Sequence, residues 1–262
     1  MRSDGFGMPA LPGVVGFRDF GGVSSRYGGH VSRDRLYRSG TPNSATQASV
    51  EHLLGLDFGL IADLRFAGER AEEPSPWPSH YEARTLFHHG SEQEEPPHIA
   101  PLRNGTMDEA TAERIYIQFY RDLPFDPLYR PLFARVLNAL PDQDGRVLIH
   151  CSAGKDRTGA LVALIQHALG ATHDEIVTEF MKSRHVPELR AMAEPYARRM
   201  EQRFGRPARI ELMKKLLDVE EDYLASLMVE IENRCGSVDA YLDAAGLNAA
   251  RRERLRARFL TG

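Results

Sequence analysis

The feature that most restricts what this chain can fold into is the run RVLIH, CSAGKDRTG, ALVALIQHALG between residues 146 and 170. A short apolar run bounded by turns reads as a buried central strand, and the apolar stretch of helical length behind it reads as a buried helix. The loop between them, from Cys151 to Arg157, contains a glycine and opens onto the helix. Its backbone N–H groups and the helix N-terminus can therefore point at one centre and bind a tetrahedral dianion. Arg157 adds a planar fork able to bridge two phosphate oxygens, which a lysine in its place could not reproduce. The same field acts on Cys151, because a thiol at a helix N-terminus beside a guanidinium titrates in the range ~3.5–7.5 rather than near about 8.5. Ser152, Ala153, Gly154 and Lys155, with His150 at the strand end, are expected to form the cradle around a nucleophilic sulfur aimed at phosphorus.

Composition narrows the class. With 262 residues, 42% hydrophobic and 27% charged, the chain is long enough for one large domain or two small ones, and chain-wide disorder is excluded. Lys plus Arg is 33 against 37 for Asp plus Glu, a net charge of −4 that gives no chain-wide pull toward nucleic acid. Only Cys151 and Cys235 are present, too few for a disulfide framework. MRSDGFGMPALPG has no apolar core of the kind an export signal carries, and no stretch is long enough to span a bilayer. The expectation is a cytoplasmic protein without stable membrane insertion, leaving open an export route that uses no such signal.

Short strands and turns are expected in the first forty residues. Ser44 with Gln47 has the capping-box pattern for a helix to about Leu54, and FGLIADLR is a buried strand ending in Asp63 and Arg65, at the strand end where α/β sheets place their sites. Residues 68 to 105 show no sustained period and read as long loops around one strand near Tyr81 to Leu86. Thr106 with Glu109 caps a helix carrying Ile115, Phe119 and Leu123 on one side, and Asp126-Pro127 opens another that ends near Leu140.

From Leu189 through Met192, Tyr196, Met200 to Phe204 the apolar residues form one helical stripe, which Pro195 should kink, and Ile210, Met213, Leu216 and Leu217 form a second. Together residues 187–217 make a helical hairpin, and a helix from Val219 to Arg234 with two shorter ones completes residues 219–262. The fold class is α/β: one domain over 1–262, with a mainly parallel central sheet flanked by helices, the phosphate loop between a central strand and helix, and an inserted helical hairpin.

HCSAGKDRTG resembles the signature of the cysteine-dependent protein tyrosine phosphatase superfamily. Lys155-Asp156 inside the loop is similar to an atypical bacterial branch with lipid-active members, as are GFRDFGG, RLYRSG, IADLR, EEDYL and GSVDAYL elsewhere in the chain. The resemblance implies that Cys151 attacks phosphorus, that Arg157 binds the phosphoryl group, and that water hydrolyses a cysteinyl-phosphate with no metal or cofactor. It further implies that Thr158 donates to the sulfur, that His150 fixes the loop, and that residues 187–217 cover the pocket as a lid. Five of the eight methionines lie between Met181 and Met228, and flexible apolar side chains suit a surface that docks and undocks.

Better-known tyrosine phosphatases carry their general acid on a Trp-Pro-Asp loop. Here Trp77-Pro78-Ser79 lacks the carboxylate, so Asp156 is the first candidate and Asp63 the second. Lys155 is either a second cation for an additional headgroup phosphate or a solvated loop lysine. His88, His89 and His98 lack a metal-binding pattern and read as loop histidines, and Cys235 reads as a small core residue. The arginines from Arg251 to Arg258 read as a solvated helix face. The expected function is a protein tyrosine phosphatase acting on phosphotyrosine proteins, with dual or phosphoinositide specificity open. A dedicated phosphoinositide or inositol-phosphate phosphatase and a catalytically silent phosphate-binding module are the alternatives. Rhodanese-like sulfurtransferases share a cysteine loop, but a shorter one.

Overall fold

The computed structural model describes residues 11–91 and 94–262; the remainder of the amino-terminal MRSDGFGMPALPG stretch, on which the reading of the chain start relied, lies outside them. In chain order the amino-terminal half runs β1 (Arg18–Asp19), β2 (His30–Val31), β3 (Leu36–Ser39), α1 (Gln47–Gly55), β4 (Phe58–Asp63), α2 (Ala67–Glu72), β5 (Thr85–Leu86), α3 (Ile99–Asn104), α4 (Glu109–Asp122) and α5 (Tyr129–Ala139). It continues with β6 (Arg146–His150), α6 (Asp156–Leu169), α7 (His173–Met181), α8 (Pro187–Ala191), α9 (Ala193–Phe204), α10 (Ile210–Leu217), α11 (Glu221–Cys235), α12 (Val238–Ala244), α13 (Ala249–Phe259) and β7 (Leu260–Thr261).

The central sheet has the order β1-β3-β6-β4-β5, with β3, β6, β4 and β5 parallel and β1 antiparallel at the edge. Its strands alternate between two cores, as a pleated sheet covered on both faces requires. Val147 and Ile149 enter the larger core with α6, whereas Leu148 points to the smaller one with Phe17, Tyr37 and Leu53. A register shift between Phe58 and Leu60 lets both Phe58 and Ile61 reach the smaller core. Because His150 pairs with Ser39 on one side and Asp63 on the other, the chain leaves β3, β4 and β6 at one carboxyl edge. Strand β6, last of the parallel strands in sequence, lies between β3 and β4, so the site sits where the connections diverge.

Several local expectations are corrected. Helix α1 is capped by Thr46, whose hydroxyl accepts from the Ser49 N–H, rather than by Ser44. The cap of α4 is Asp108 instead of Thr106, and its buried face is Ala112, Tyr116 and Tyr120, with Ile115 and Phe119 only half-buried. Asp126 does receive the Leu128 and Tyr129 N–H groups, but α5 begins only at Tyr129. Residues 68–105 hold α2 and α3 besides the short strand, too brief to show a period. Instead of kinking one helix, Pro195 follows a break between α8 and α9 at Met192, as its missing N–H requires.

The arginines of α13 are not a free solvated face: Arg251 and Arg254 pair with Asp142, Arg252 with Asp243, and Arg258 with Asp144. They fasten α13 to the body of the domain, and β7 behind it pairs with β2 at the other end of the chain. His88 is buried against Phe66 and Tyr129, and His98 contacts the Tyr196 hydroxyl at 2.8 Å, so neither is a loop histidine in water. No metal-binding group of His, Cys, Asp or Glu occurs among the described residues. Trp77 packs on Phe58 and Tyr81 in the smaller core. Among the described residues no helix is long and apolar enough to cross a membrane.

Candidate active site

Residues 151–155 turn tightly between β6 and α6. Gly154 has φ +72°, and a Cβ there would come within 2.3–2.5 Å of the Ser39 and Gly40 backbone, so only glycine fits. The Gly154 N–H donates to Cys151 Sγ at 3.3 Å, and the buried sulfur is thus held inside the turn. From the neighbouring strand ends the Thr41 N–H donates to the Ser152 carbonyl at 3.0 Å and the Leu64 N–H to the His150 carbonyl at 2.8 Å. The loop is fixed by the sheet on both sides.

Arg157, in the first turn of α6, reaches back over the loop. Its Nη1 donates to the Leu64 carbonyl at 3.0 Å and to Glu69 Oε2 at 2.6 Å, and its Nη2 to Glu69 Oε1 at 3.0 Å. The guanidinium also lies 4.9 Å from the centre of the Phe66 ring. Glu69 takes a further bond of 2.6 Å from the Ser152 hydroxyl and one of 2.7 Å from the Phe66 N–H. Burial works to raise this carboxyl, but Arg157 and these donors hold it below the usual carboxylate range. Burial likewise works against the Arg157 charge, and Glu69, Tyr129 and Cys151 outweigh it, so the guanidinium stays protonated.

The two candidate acids sit in different surroundings. Asp156 accepts from the Tyr120 hydroxyl at 3.0 Å through Oδ1, lies 3.2 Å from Lys155 Nζ through Oδ2, and borders the cavity above Cys151. Asp63 is clamped by Arg65, whose Nη2 lies at 2.7 Å, and faces His150 at 3.9 Å outside that cavity. Against burial, which would raise it, His150 and Arg65 bring the Asp63 carboxyl down to about 2. His150 is fully buried, and that burial pushes it down to about 4, so it is neutral at neutral pH. The Thr158 hydroxyl is also buried and makes no hydrogen bond to the sulfur, contrary to the expected donation.

Lys155 is not a solvated loop lysine. It is buried, with Nζ 2.8 Å from the Asp218 carbonyl and 4.5 Å from the centre of the Tyr116 ring. Above the loop lies a cavity of about 710 Å³, its floor containing Cys151 and Arg157 and its far wall Met192, Tyr196, Met200, Leu216 and Leu217. The hairpin of residues 187–217 therefore lines one side of the cavity. Bonds that join this hairpin to the rest include the Tyr116 hydroxyl to the Leu216 carbonyl at 2.7 Å, Arg199 to Glu73 at 2.9 Å, Lys215 to Glu220 at 3.1 Å and the His98–Tyr196 contact.

Cys151, Ser152, Ala153, Lys155, Asp156 and Arg157 line one cavity, whereas Asp63 does not line it and the Thr158 hydroxyl makes no bond to the sulfur. Sequence reasoning missed Glu69, Tyr120 and Tyr129, which lie 88, 36 and 28 positions from their partners. The one legible signal was Glu69 following Phe66 at capping-box spacing, and that points to a helix start rather than to Arg157.

The pattern of the tyrosine phosphatase family matches residues 9–261. A protein of Cupriavidus necator named as a tyrosine-protein phosphatase is 30% identical over 257 residues, covering 97% of this chain and 88% of its own. The triple specificity protein phosphatase PtpB of Mycobacterium tuberculosis is 30% identical over 275 residues, covering 94% and 96% of the two chains. A tyrosine-protein phosphatase of Nostoc commune is 28% identical over 160 residues, covering 60% and 51%. With a match along almost the whole chain and a cysteine held in an arginine-closed phosphate loop, this protein belongs to the tyrosine phosphatase family, whose members are cysteine-dependent phosphoric monoester hydrolases.

Proposed function

We propose that Cys151 is the nucleophile, Arg157 the phosphoryl-binding cation and Asp156 the proton donor of this phosphatase, with phosphotyrosine side chains as its substrate class. The observation that carries the reading is the convergence of Cys151 Sγ, the Gly154 N–H at 3.3 Å from it, and Arg157 on the floor of one cavity. Arg157 is held before substrate arrives. Glu69, the Leu64 carbonyl and the Tyr129 hydroxyl surround Nη1 and Glu69 takes one Nη2 proton, so the Nε–H and the other Nη2–H, which has only the Ser152 hydroxyl at 3.5 Å, are the pair that meets phosphoryl oxygens.

In the first step the Cys151 thiolate forms an S–P bond as the P–O bond to the tyrosyl oxygen breaks, and Asp156 protonates that oxygen. In the second, water attacks the cysteinyl-phosphate, its proton passes to Asp156, and the S–P bond breaks to release phosphate and thiolate. The loop N–H groups and Arg157 meet the charge that builds on the equatorial oxygens in both steps. The Tyr120 hydroxyl holds Asp156 in place. Asp63, clamped by Arg65 outside the cavity that Asp156 borders, is not placed to reach the leaving oxygen, which favours Asp156.

Asp156→Asn is expected to slow aryl phosphates with poor leaving groups by roughly a hundredfold and those with good ones by less than about tenfold. Steady-state rates on a series of substituted phenyl phosphates check this. Equal slowing across the series would move the acid elsewhere.

A second reading, phosphoinositide hydrolysis, draws on the size of the cavity and on Lys155 beside the loop. Against a second phosphate subsite stands the engagement of its ammonium by Asp218, Asp156 and Tyr116. Lys155→Met is therefore expected to lower kcat/KM by similar factors, about tenfold, on a phosphotyrosine peptide and on a phosphoinositide with two headgroup phosphates. A loss confined to the lipid would assign Lys155 to a second phosphate and lift the lipid reading above the protein one.

A further inference from the structure

The second arginine of RLYRSG lies beneath the phosphate loop. Arg38, at the carboxyl end of β3, is 0% exposed, and its Nη2 donates to the Gly154 carbonyl at 2.7 Å and the Lys155 carbonyl at 3.3 Å. Its approach to a carboxylate is looser, 3.5 Å from Nη1 to Glu179 Oε1, while the same oxygen takes a 2.8 Å bond from Arg18 Nε. A buried guanidinium kept only for stability would place its shortest bond on the buried carboxylate beside it. This one places it on the catalytic loop.

The stereochemical consequence follows from the planar trans peptide, in which N–H points opposite to C=O. No cis peptide occurs among the described residues. Drawing the Gly154 carbonyl toward Arg38 turns the Lys155 N–H away from Arg38, and drawing the Lys155 carbonyl does the same for the Asp156 N–H. We propose that Arg38 is a positioning residue of the phosphate cradle, gripping two loop carbonyls from below so that the Lys155 and Asp156 N–H groups face the bound anion.

This assignment also gives Gly154 and its φ of +72° a second role, because the peptide unit that only glycine can place there is the one Arg38 grips. Four titratable groups face the guanidinium, Arg18 on β1, Glu179 on α7, Tyr120 on α4 and Cys151 in the loop, and Lys182 pairs with Glu179 beyond them. Burial chiefly, with Arg18, lowers Arg38 to about 9 while Glu179, Cys151 and Tyr120 act to raise it, so it remains charged at neutral pH. A fixed cation below the loop then favours a bound phosphoryl dianion. The inference rests on Cys151 and Arg157 forming the catalytic loop, a reading tested separately by turnover of the unaltered enzyme and its loss in Cys151→Ser.

The experiment compares Arg38→Lys and Arg38→Met with Arg252→Lys in the full chain. Arg252 is also a buried arginine, bonded to the Leu247 carbonyl at 2.8 Å and to Asp243 at 2.7 Å, but it touches no part of the loop. For Arg38→Lys, which keeps the charge and loses the fork, kcat on p-nitrophenyl phosphate should fall about a hundredfold per folded molecule. Inhibition by inorganic phosphate should weaken roughly tenfold. Arg38→Met, which also removes the charge, should in addition move the midpoint of the iodoacetamide inactivation profile to higher pH. Arg252→Lys should lower Tm while leaving kcat, phosphate inhibition and that midpoint where they were. The proposal is overturned if folded Arg38→Lys keeps normal kcat and phosphate inhibition, or if its losses vanish once rates are corrected for the folded fraction as they do for Arg252→Lys. Should Arg38→Met fail to fold, Arg38→Lys alone decides the matter.

Discussion

Cys151→Ser is expected to lower turnover of p-nitrophenyl phosphate by at least about four orders of magnitude, because a serine hydroxyl near neutral pH is un-ionised and a far weaker nucleophile than a thiolate. The cradle survives the change. Arg157 keeps Glu69 and the Leu64 carbonyl, and the strand-end bonds to Ser152 and His150 do not involve the sulfur. Binding of a phosphotyrosine peptide, measured by calorimetry on the inactive protein, should therefore stay within about tenfold of the KM of the unaltered enzyme. Turnover at a comparable rate in Cys151→Ser would rule out the cysteinyl-phosphate route. Loss of turnover together with loss of binding would mean that the sulfur shapes the loop as well as attacking phosphorus.

Arg157→Lys should cost two to three orders of magnitude in kcat at unchanged pH, since an ammonium cannot present two parallel N–H bonds to the equatorial oxygens of the transition state. A second effect comes from Glu69. In the native fold its two oxygens are met by both terminal nitrogens of Arg157, and the pair is largely buried, with 9% and 21% of the two side chains exposed. A lysine leaves one of those oxygens with the Ser152 hydroxyl and no guanidinium, so thermal stability should drop as well. The two effects separate by temperature: stability is recovered on cooling, and the catalytic loss is not. Near-normal turnover in a folded Arg157→Lys would show that the phosphoryl group is held by something other than this fork.

How much of the molecule was legible in the chain differs from element to element. The strand RVLIH, the loop and the helix behind it could be read directly, because each announces itself over consecutive residues: an apolar run, a glycine turn, and an apolar stretch of helical length. The same is true of FGLIAD and of the glycine that stops α11, where Gly236 takes φ +84°. The caps of α1 and α4 lie two residues beyond the ones expected because Ser44 and Thr46, or Thr106 and Asp108, can all accept from a helix N-terminus, and backbone geometry chooses between them. Helices α2 and α3 are six residues each, less than two turns, and so too short for a hydrophobic period to emerge.

The site divides in the same way. Local sequence carried the proposed nucleophile, the arginine proposed to bind phosphate, the loop glycine and a carboxylate beside them, since groups that act on one phosphorus atom must lie close together. Other residues around the loop are drawn from elsewhere: Glu69 from α2, Tyr120 from α4, Arg38 from β3 and one wall of the cavity from residues 187–217. The hairpin and the RLYRSG segment can be picked out in the chain, but the partners of Glu69, Tyr120 and Arg38 cannot, because a glutamate at a helix start or an arginine at a strand end has many uses. Their roles arise from pairings across the fold, made when the strand order β1-β3-β6-β4-β5 brings separate carboxyl ends to one edge. Asp63 and Lys155 show the limit from the other side. Chain position put a carboxylate at a strand end and an ammonium in the loop; burial locked the first to Arg65, two residues on, and Asp218, 63 residues away in the chain, covered the second. Chemistry that needs adjacent residues can be written in a short motif, whereas burial and ion pairing depend on which distant segments the fold packs against them.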